Sequence, residues 1–231
     1  HDDHVTKKLK DACDDWINLR YRSDLWAARM IADQQLDVLV ELGGYTGHSR
    51  PGILVQRPAP IQLSYLGYYA PTYLDAIDGW IGDEALFEGL NDTDRQAQRL
   101  CKVPTGYMSY VRDDLPPIKE RCIAERFRFG SFNHSRKLTK RCVELFCAVL
   151  SATPQSELVL KSVSFSEHAE QERIRALFQA AGLDDDRLVL LPWVKGWKNH
   201  MALYSKMDVA LDPIPYGGAT TTCEALLMGV P

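Results

Sequence analysis

No run of eighteen or more apolar residues occurs in the 231-residue chain, so no stretch reads as a membrane-spanning helix. The opening residues, HDDHVTKKLK, lack the apolar core of a secretory signal. A basic excess is missing too: 27 Lys and Arg stand against 31 Asp and Glu, a net charge of −4. Nucleic acid is therefore disfavoured as a partner, because a phosphate backbone calls for a basic surface. Cysteines are few (Cys13, Cys101, Cys122, Cys142, Cys147 and Cys223), with no CxxC and no histidine at metal-ligand spacing. A reduced, cytoplasmic chain is the simplest account. Several catalytic signatures are absent as well. There is no GxxxxGK followed by Ser or Thr, no GxGxxG after a first strand, no GxSxG and no HExxH. These absences argue against the phosphate loop of ATPases, a hydride-carrying dinucleotide, a serine-hydrolase elbow and a zinc protease. The chain does not begin with Met and stops at Gly-Val-Pro where a further strand is due, so a fragment or excised domain is expected.

What is present is enough for a core: 45% of residues are hydrophobic, and the length suits one large domain or two small ones. Helical spacing runs from Val5 to about Gln35, with Ser23 as a cap for its second part. Asp37–Leu42 predicts a strand that empties into Gly43-Gly44-Tyr45-Thr46-Gly47-His48; His48 alone reads as an ordinary loop residue. Short strands are expected at Leu63–Gly67, Ile77–Asp83 and Leu100–Pro104, and a polar, Pro-rich linker at 110–125. A regular alternation follows. Strands at Phe127–Asn133, Glu157–Lys161, Arg187–Leu191 and Met207–Leu211 alternate with helices capped by Thr139, begun near Glu167 and capped by Asn199. Such alternation means βαβ units and a parallel sheet.

The last stretch, LDPIPYGGATTTCEALLMGVP, is the most pointed. A strand ends at Asp212, prolines hold the exit extended, Gly217-Gly218 turns it, and three hydroxyls precede a helix read from Cys223 to Met228. A helix start offers free N–H groups and about half a positive charge to an anion. The plain alternative is a helix after a turn with no ligand. Right-handed crossovers put the loops after Asn133, Leu191 and Leu211 on one edge, gathering His134, Lys137, Lys195, His200, Thr220, Thr221, Thr222 and Glu224. Lys137 facing the helix start would make a diphosphate clamp, and a carboxylate beside it suits a ribose diol. A nucleotide-sugar site fits these residues.

Together with FGSFNHSRK, ELGGYTGHSR and RPAPIQLSYLGY, the terminal stretch closely resembles the O-GlcNAc transferase / SPINDLY family, in order and over nearly the whole chain. The resemblance implies an α/β fold of GT-B type with two Rossmann-like, parallel-sheet lobes, both incomplete here. Residues 1–120 would be the latter part of the acceptor-side lobe and 125–231 a truncated donor lobe. The implied activity is inverting transfer of a sugar, GlcNAc from a UDP donor, to Ser or Thr hydroxyls of proteins. No metal or cofactor is implied; the partners are the nucleotide-sugar donor and a protein or peptide acceptor, with tetratricopeptide repeats upstream. GDP-fucose or UDP-glucose as donor, or a nucleotide-sugar binding module that transfers nothing, are the alternatives.

Residue by residue, the resemblance gives Lys137 the catalytic part of neutralising the departing diphosphate. His134 would contact phosphate, Thr220, Thr221 and Thr222 would hold the diphosphate, Glu224 would bind ribose and His200 the base. Leu66 and Gly67 would line the sugar and acceptor side. The family's histidine-bearing segment would lie before residue 1, so the resemblance names no general base here. The pattern also departs from the animal enzymes. Ala219 replaces a phosphate-contacting His, Glu224 an Asp and Gly47 a Lys, and Tyr69–Tyr73 replaces a Pro-Gly-Thr-rich loop.

Overall fold

The computed structural model describes residues 3–112, 114–118 and 126–231. The chain divides into two compact units, His1–Ser109 and Tyr110–Pro231. The expected linker at 110–125 falls at the start of the second unit, and its residues 113 and 119–125 lie outside the described residues. Among the described residues no helix is long and apolar enough to cross a membrane.

The first unit opens with α1 (His4–Asp11) and α2 (Asp24–Ala32). The helical spacing expected from Val5 to Gln35, with its second part capped at Ser23, is thus realised as two helices. Between the helices the Asn18 side chain accepts a hydrogen bond from the Arg20 amide, a local turn that competes with helix. Ser23 caps α2 as expected, accepting from the Trp26 amide at 3.2 Å. There follow β1 (Val38–Glu41), α3 (Pro51–Val55), β2 (Ile61–Ser64), β3 (Gly79–Gly82), α4 (Glu84–Glu88), α5 (Asp92–Ala97) and β4 (Arg99–Lys102). The four strands form a parallel sheet in sequence order. Trp80 and Phe87, both fully buried, meet edge to face beneath it, with ring centres 5.2 Å apart.

The second strand lies earlier than its apolar run suggests. It ends at Ser64 because Leu66 adopts a left-handed φ of 65° and the Gly67 amide turns back to the Tyr65 carbonyl. Gly67 is required there: a Cβ would lie 2.0 Å from the Leu42 carbonyl oxygen.

In the second unit, β5 (Phe127–Ser131) leads through a 3-10 turn (Ser135–Lys137) into α6 (Lys140–Ala152). Next come β6 (Ser156–Lys161), α7 (His168–Ala180), β7 (Leu188–Leu191), α8 (Trp197–Ala202), β8 (Val209–Ala210) and α9 (Thr220–Leu227). Thr139 caps α6, its side chain accepting from the Cys142 amide. Asn199 does not cap α8. That helix starts at Trp197 after Gly196, whose φ of 87° suits glycine, and the Asn199 side-chain Nδ2 donates back to the Lys195 carbonyl.

All pairings in this sheet are parallel, in the order β7-β6-β5-β8. Period-two alternation sorts its side chains. Phe129, Leu158 and Leu160 join Phe146, Leu150, Ile174 and Phe178 from α6 and α7 in one core. Val159 faces the opposite way, with Phe132, Met201, Tyr204, Met207 and Ala225 from the α8 and α9 side. The half-buried Arg128–Asp208 pair ties the starts of β5 and β8, Asp208 also accepting from the Arg128 amide at 2.8 Å.

Candidate functional site

From β5 the chain moves outward through β6 to β7, then returns to place β8 on the other side of β5. The loops leaving β5 and β8 therefore diverge at a topological switch point. Open α/β sheets bind their ligands in that crevice, at the carboxyl ends of the strands. The loop after β5 carries Asn133, His134 and Lys137; the loop after β8 carries Asp212, Gly217 and Gly218 and runs into α9.

The two loops meet through Lys137. Its half-buried Nζ donates to the Gly217 carbonyl at 2.7 Å and to Asn133 Oδ1 at 3.0 Å, and lies 4.8 Å from the centre of the Tyr216 ring. Burial lowers its pKa, and the nearby Asp212 carboxylate opposes that. Asn133 Oδ1 also accepts from the Thr221 hydroxyl at 3.2 Å, joining the lysine to the helix start.

That helix starts earlier than expected: α9 begins at Thr220, not Cys223, so the three threonines form its first turn. No side chain caps it, which leaves its first N–H groups to an anion. The turn before it is held by Asp212, whose Oδ1 accepts from the Gly218 amide at 2.7 Å. A Cβ on Gly218 would stand 2.6 Å from Thr222 Oγ1 and 2.8 Å from Asp212 Oδ1, so any larger residue would require these side chains to shift. Asn133, Asp212, Thr221 and Thr222 line a cavity at this point.

One helical turn further, Glu224 is 6% exposed. Its Oε2 accepts from the Tyr204 hydroxyl and pairs with His200 Nε2, both at 2.9 Å. An ionised carboxylate only accepts, so Nε2 is the donor, and the buried Nδ1 has no hydrogen-bond partner among the described residues. Burial works to raise the Glu224 pKa, but His200, Tyr204 and the charge of Lys161 outweigh it and hold the carboxyl below its ordinary value. His200 also lies tilted against Phe132, centroids 6.1 Å apart.

Lys137, Thr221, His200 and Glu224 thus gather on the carboxyl rim of one sheet, with Thr220 and Thr222 in the same helical turn. His134 stands at that rim but is exposed, its Nδ1 accepting from the Arg136 amide as the cap of the 3-10 turn. Leu66 and Gly67 belong to the first unit, where they close the loop after β2. Asn133, Tyr204 and Asp212 escaped the sequence reading. Asn133 was read as the last residue of a strand and Tyr204 as an interior helical residue, and neither spacing carries a signal for its partner. Asp212, six residues before the Gly218 it holds, had the shape of a loop-stabilising Asx residue.

Two parallel Rossmann-like sheets, one of them with an uncapped helix start at its switch point, define the chain as an α/β protein of the GT-B glycosyltransferase class. A sucrose-phosphate synthase from Thermosynechococcus elongatus shares this fold, with a TM-score of 0.56 at 17% identity over 84% of this chain and 55% of its own. The model of glycosyl transferase family 41 matches residues 1–128, and the chain belongs to that family. It is 35% identical over 221 residues, 94% of its length, to a tomato (Solanum lycopersicum) protein described as "Probable UDP-N-acetylglucosamine--peptide N-acetylglucosaminyltransferase SPINDLY". Identity to an Arabidopsis thaliana protein described as "Probable UDP-N-acetylglucosamine--peptide N-acetylglucosaminyltransferase SEC" is 26% over 236 residues. The chain spans 23% and 24% of the length of these two relatives. A mutant O-GlcNAc transferase of Thermobaculum terrenum superimposes with a TM-score of 0.92 at 28% identity, over all of this chain and 44% of its own.

Proposed function

We propose that the second unit holds the nucleoside diphosphate of a sugar donor, and that the protein moves the sugar, GlcNAc from a UDP donor, to Ser or Thr hydroxyls of proteins. The observation that carries this reading is Lys137 Nζ seated on the Gly217 turn beside the uncapped start of α9. An ammonium and a set of N–H groups converge where two phosphates would add negative charge. The names of the relatives, peptide N-acetylglucosaminyltransferases and an O-GlcNAc transferase, support the sugar and the peptide acceptor.

On this reading the acceptor hydroxyl attacks the anomeric carbon from the face opposite the diphosphate, inverting it, and gives up its proton to water. The bond from that carbon to the diphosphate oxygen breaks, and its electron pair departs with the leaving group. Charge grows there in the transition state, so groups already fixed around it lower the barrier without reorganising. Lys137 and the first turn of α9, with Thr220, Thr221 and Thr222, meet that charge. Glu224, its carboxylate held by His200 and Tyr204, offers its second oxygen to the ribose diol. His200 lies at the base end, and His134 borders the phosphates. Leu66 and Gly67 serve the sugar and acceptor side. No metal enters this account, so transfer measured in excess EDTA should equal transfer without it; a loss restored by a divalent ion would require a metal in the mechanism.

The experiment is transfer by the intact protein to a peptide pool from UDP-GlcNAc, UDP-glucose and GDP-fucose in turn, with donor turnover measured separately. Labelled peptide from UDP-GlcNAc is the expected result. Labelling from GDP-fucose alone would replace the donor, and donor conversion without labelled peptide would point to an epimerase.

A further inference from the structure

A second cation stands on the same rim with no hydrogen-bond or ion-pair partner among the described residues. Lys161 is the last residue of β6 and only 8% exposed. By the alternation of the strand it shares the face of Val159, turned toward the α8 and α9 side. Its ammonium lies 5.7 Å from the centre of the Phe132 ring. Among the described residues it makes no hydrogen bond and no ion pair within 4 Å. The carboxylate acting on it from further away is Glu224, and Glu224 Oε2 is already taken by His200 and Tyr204.

A buried ammonium with three unfilled donors is costly, and an apolar side chain of similar length would ordinarily serve a strand end better. Burial pushes its pKa down, while Glu224 acts in the opposite direction. The position narrows what could fill those donors. Lys137 and the threonine turn occupy the side of the crevice formed by the loops after β5 and β8. Lys161 lies one strand away, grouped with Phe132, His200 and Glu224. If phosphates sit at Lys137, the part of the ligand that reaches Lys161 is the nucleoside.

We propose that Lys161 is a nucleoside-binding residue, its ammonium donating to a base carbonyl or ribose oxygen of a nucleoside diphosphate beside the Glu224 carboxylate. This rests on the donor-site reading above and adds a cation to its nucleoside end. The oxygen it meets is neutral, which suits a cation whose charge is already balanced at a distance by Glu224. Lysine is kept at this strand end for the ligand, and the free protein carries its desolvation.

The test is calorimetric titration of the intact protein with UDP, GDP and inorganic pyrophosphate, together with thermal unfolding of the free protein. Lys161→Met should weaken nucleotide binding about ten- to a hundredfold, the loss expected for one charge-assisted hydrogen bond. Pyrophosphate affinity should stay within about twofold, since no phosphate contact is removed. The Tm of the free protein should be unchanged or higher. Lys161→Gln, which keeps a donor but no charge, should fall between the two proteins in nucleotide affinity. Wild-type nucleotide affinity in both variants overturns the proposal. So does an equal loss for pyrophosphate, which would make Lys161 a phosphate cation, or a lowered Tm in both variants, which would make its role structural. If the wild-type protein binds neither nucleotide, the donor-site reading itself fails. If it does bind and Lys137→Met weakens nucleotide and pyrophosphate alike while Lys161→Met weakens neither, only the present inference fails.

Discussion

Replacing Lys137 with Met removes the ammonium while keeping the length and most of the volume of the side chain. In the free protein the substitution deletes two hydrogen bonds, at 2.7 Å to the Gly217 carbonyl and 3.0 Å to Asn133 Oδ1. Each is worth about 1 kcal/mol net, and losing the desolvation penalty of a half-buried cation offsets part of that. A change of about 1 kcal/mol moves the Tm of a chain this size by about 2–4 °C. In the transition state the loss is larger, because the cation then faces a diphosphate acquiring charge in a partly dry crevice. Removal of one such donor costs about 100–1000-fold in rate, equivalent to about 3–4 kcal/mol. Steady-state transfer from the nucleotide sugar to a peptide should show that fall chiefly in kcat, with a folded protein by thermal melt and circular dichroism. Turnover within about threefold of wild type, well under 1 kcal/mol, would refute the assignment of Lys137 to the leaving group.

Glu224→Gln keeps the shape of the carboxylate and removes its charge, and should weaken nucleoside diphosphate binding about tenfold. It should also change the acid response of stability. The folded pKa of Glu224 lies below its ordinary 4.5, so its contribution is complete above 4.5 and is lost as pH falls through the folded value. The Tm of the wild-type protein should therefore drop more steeply than that of the variant below pH 4.5, and parallel profiles would contradict the pairing with His200 and Tyr204. Gly218→Ala forces a methyl against Thr222 Oγ1 and Asp212 Oδ1, contacts of 2.6 and 2.8 Å. A cost of about 1–3 kcal/mol is expected, read as a Tm several degrees lower, together with weaker diphosphate binding. An unchanged Tm would mean that the turn can open without cost.

Where the sequence was legible, it was so because one local rule sufficed. Thr139 and Ser23 are caps whose hydroxyls find the amide three residues on, and both lie where their helices begin. Three strands of the second unit centre on short runs of Val, Leu and Ala, the fourth alternates Phe with Arg and Gly, and the alternation of these strands with helices fixes a parallel sheet. Where two rules competed, the reading slipped. Asn199 has the chemistry of a cap, but the left-handed turn at Gly196 starts the helix three residues sooner. The threonines at 220–222 are poor helix formers, and they nevertheless form the first turn of α9 because a turn tied by Asp212 delivers the chain there in register. Leu66 sits in an apolar run that invites a strand, yet the close approach of Gly67 to Leu42 ends it. The site was legible as a set of residue types on one edge. Its pairings were not: Lys137 to Gly217 spans eighty residues, and the buried carboxylate of Glu224 is fixed by a tyrosine twenty positions away. Such contacts depend on strand order, which local periodicity does not encode.

The strand order has one more consequence. β5 is zipped to β6 over five residue pairs but to β8 over two, Phe129 with Val209 and Gly130 with Ala210. The half of the crevice bearing Lys137 is therefore rooted in the middle of the sheet, whereas the half bearing the threonine turn hangs from a short seam. Polar contacts reinforce that seam: Lys137 on Gly217 and Thr221 on Asn133 at the rim, and Arg128 on Asp208 at the opposite end of the strands. A ligand bridging both halves would serve as the missing rungs of that ladder. Binding would be coupled to the fastening of a subdomain, and occupancy of the crevice would be felt along the chain from Val209 to the end of α9.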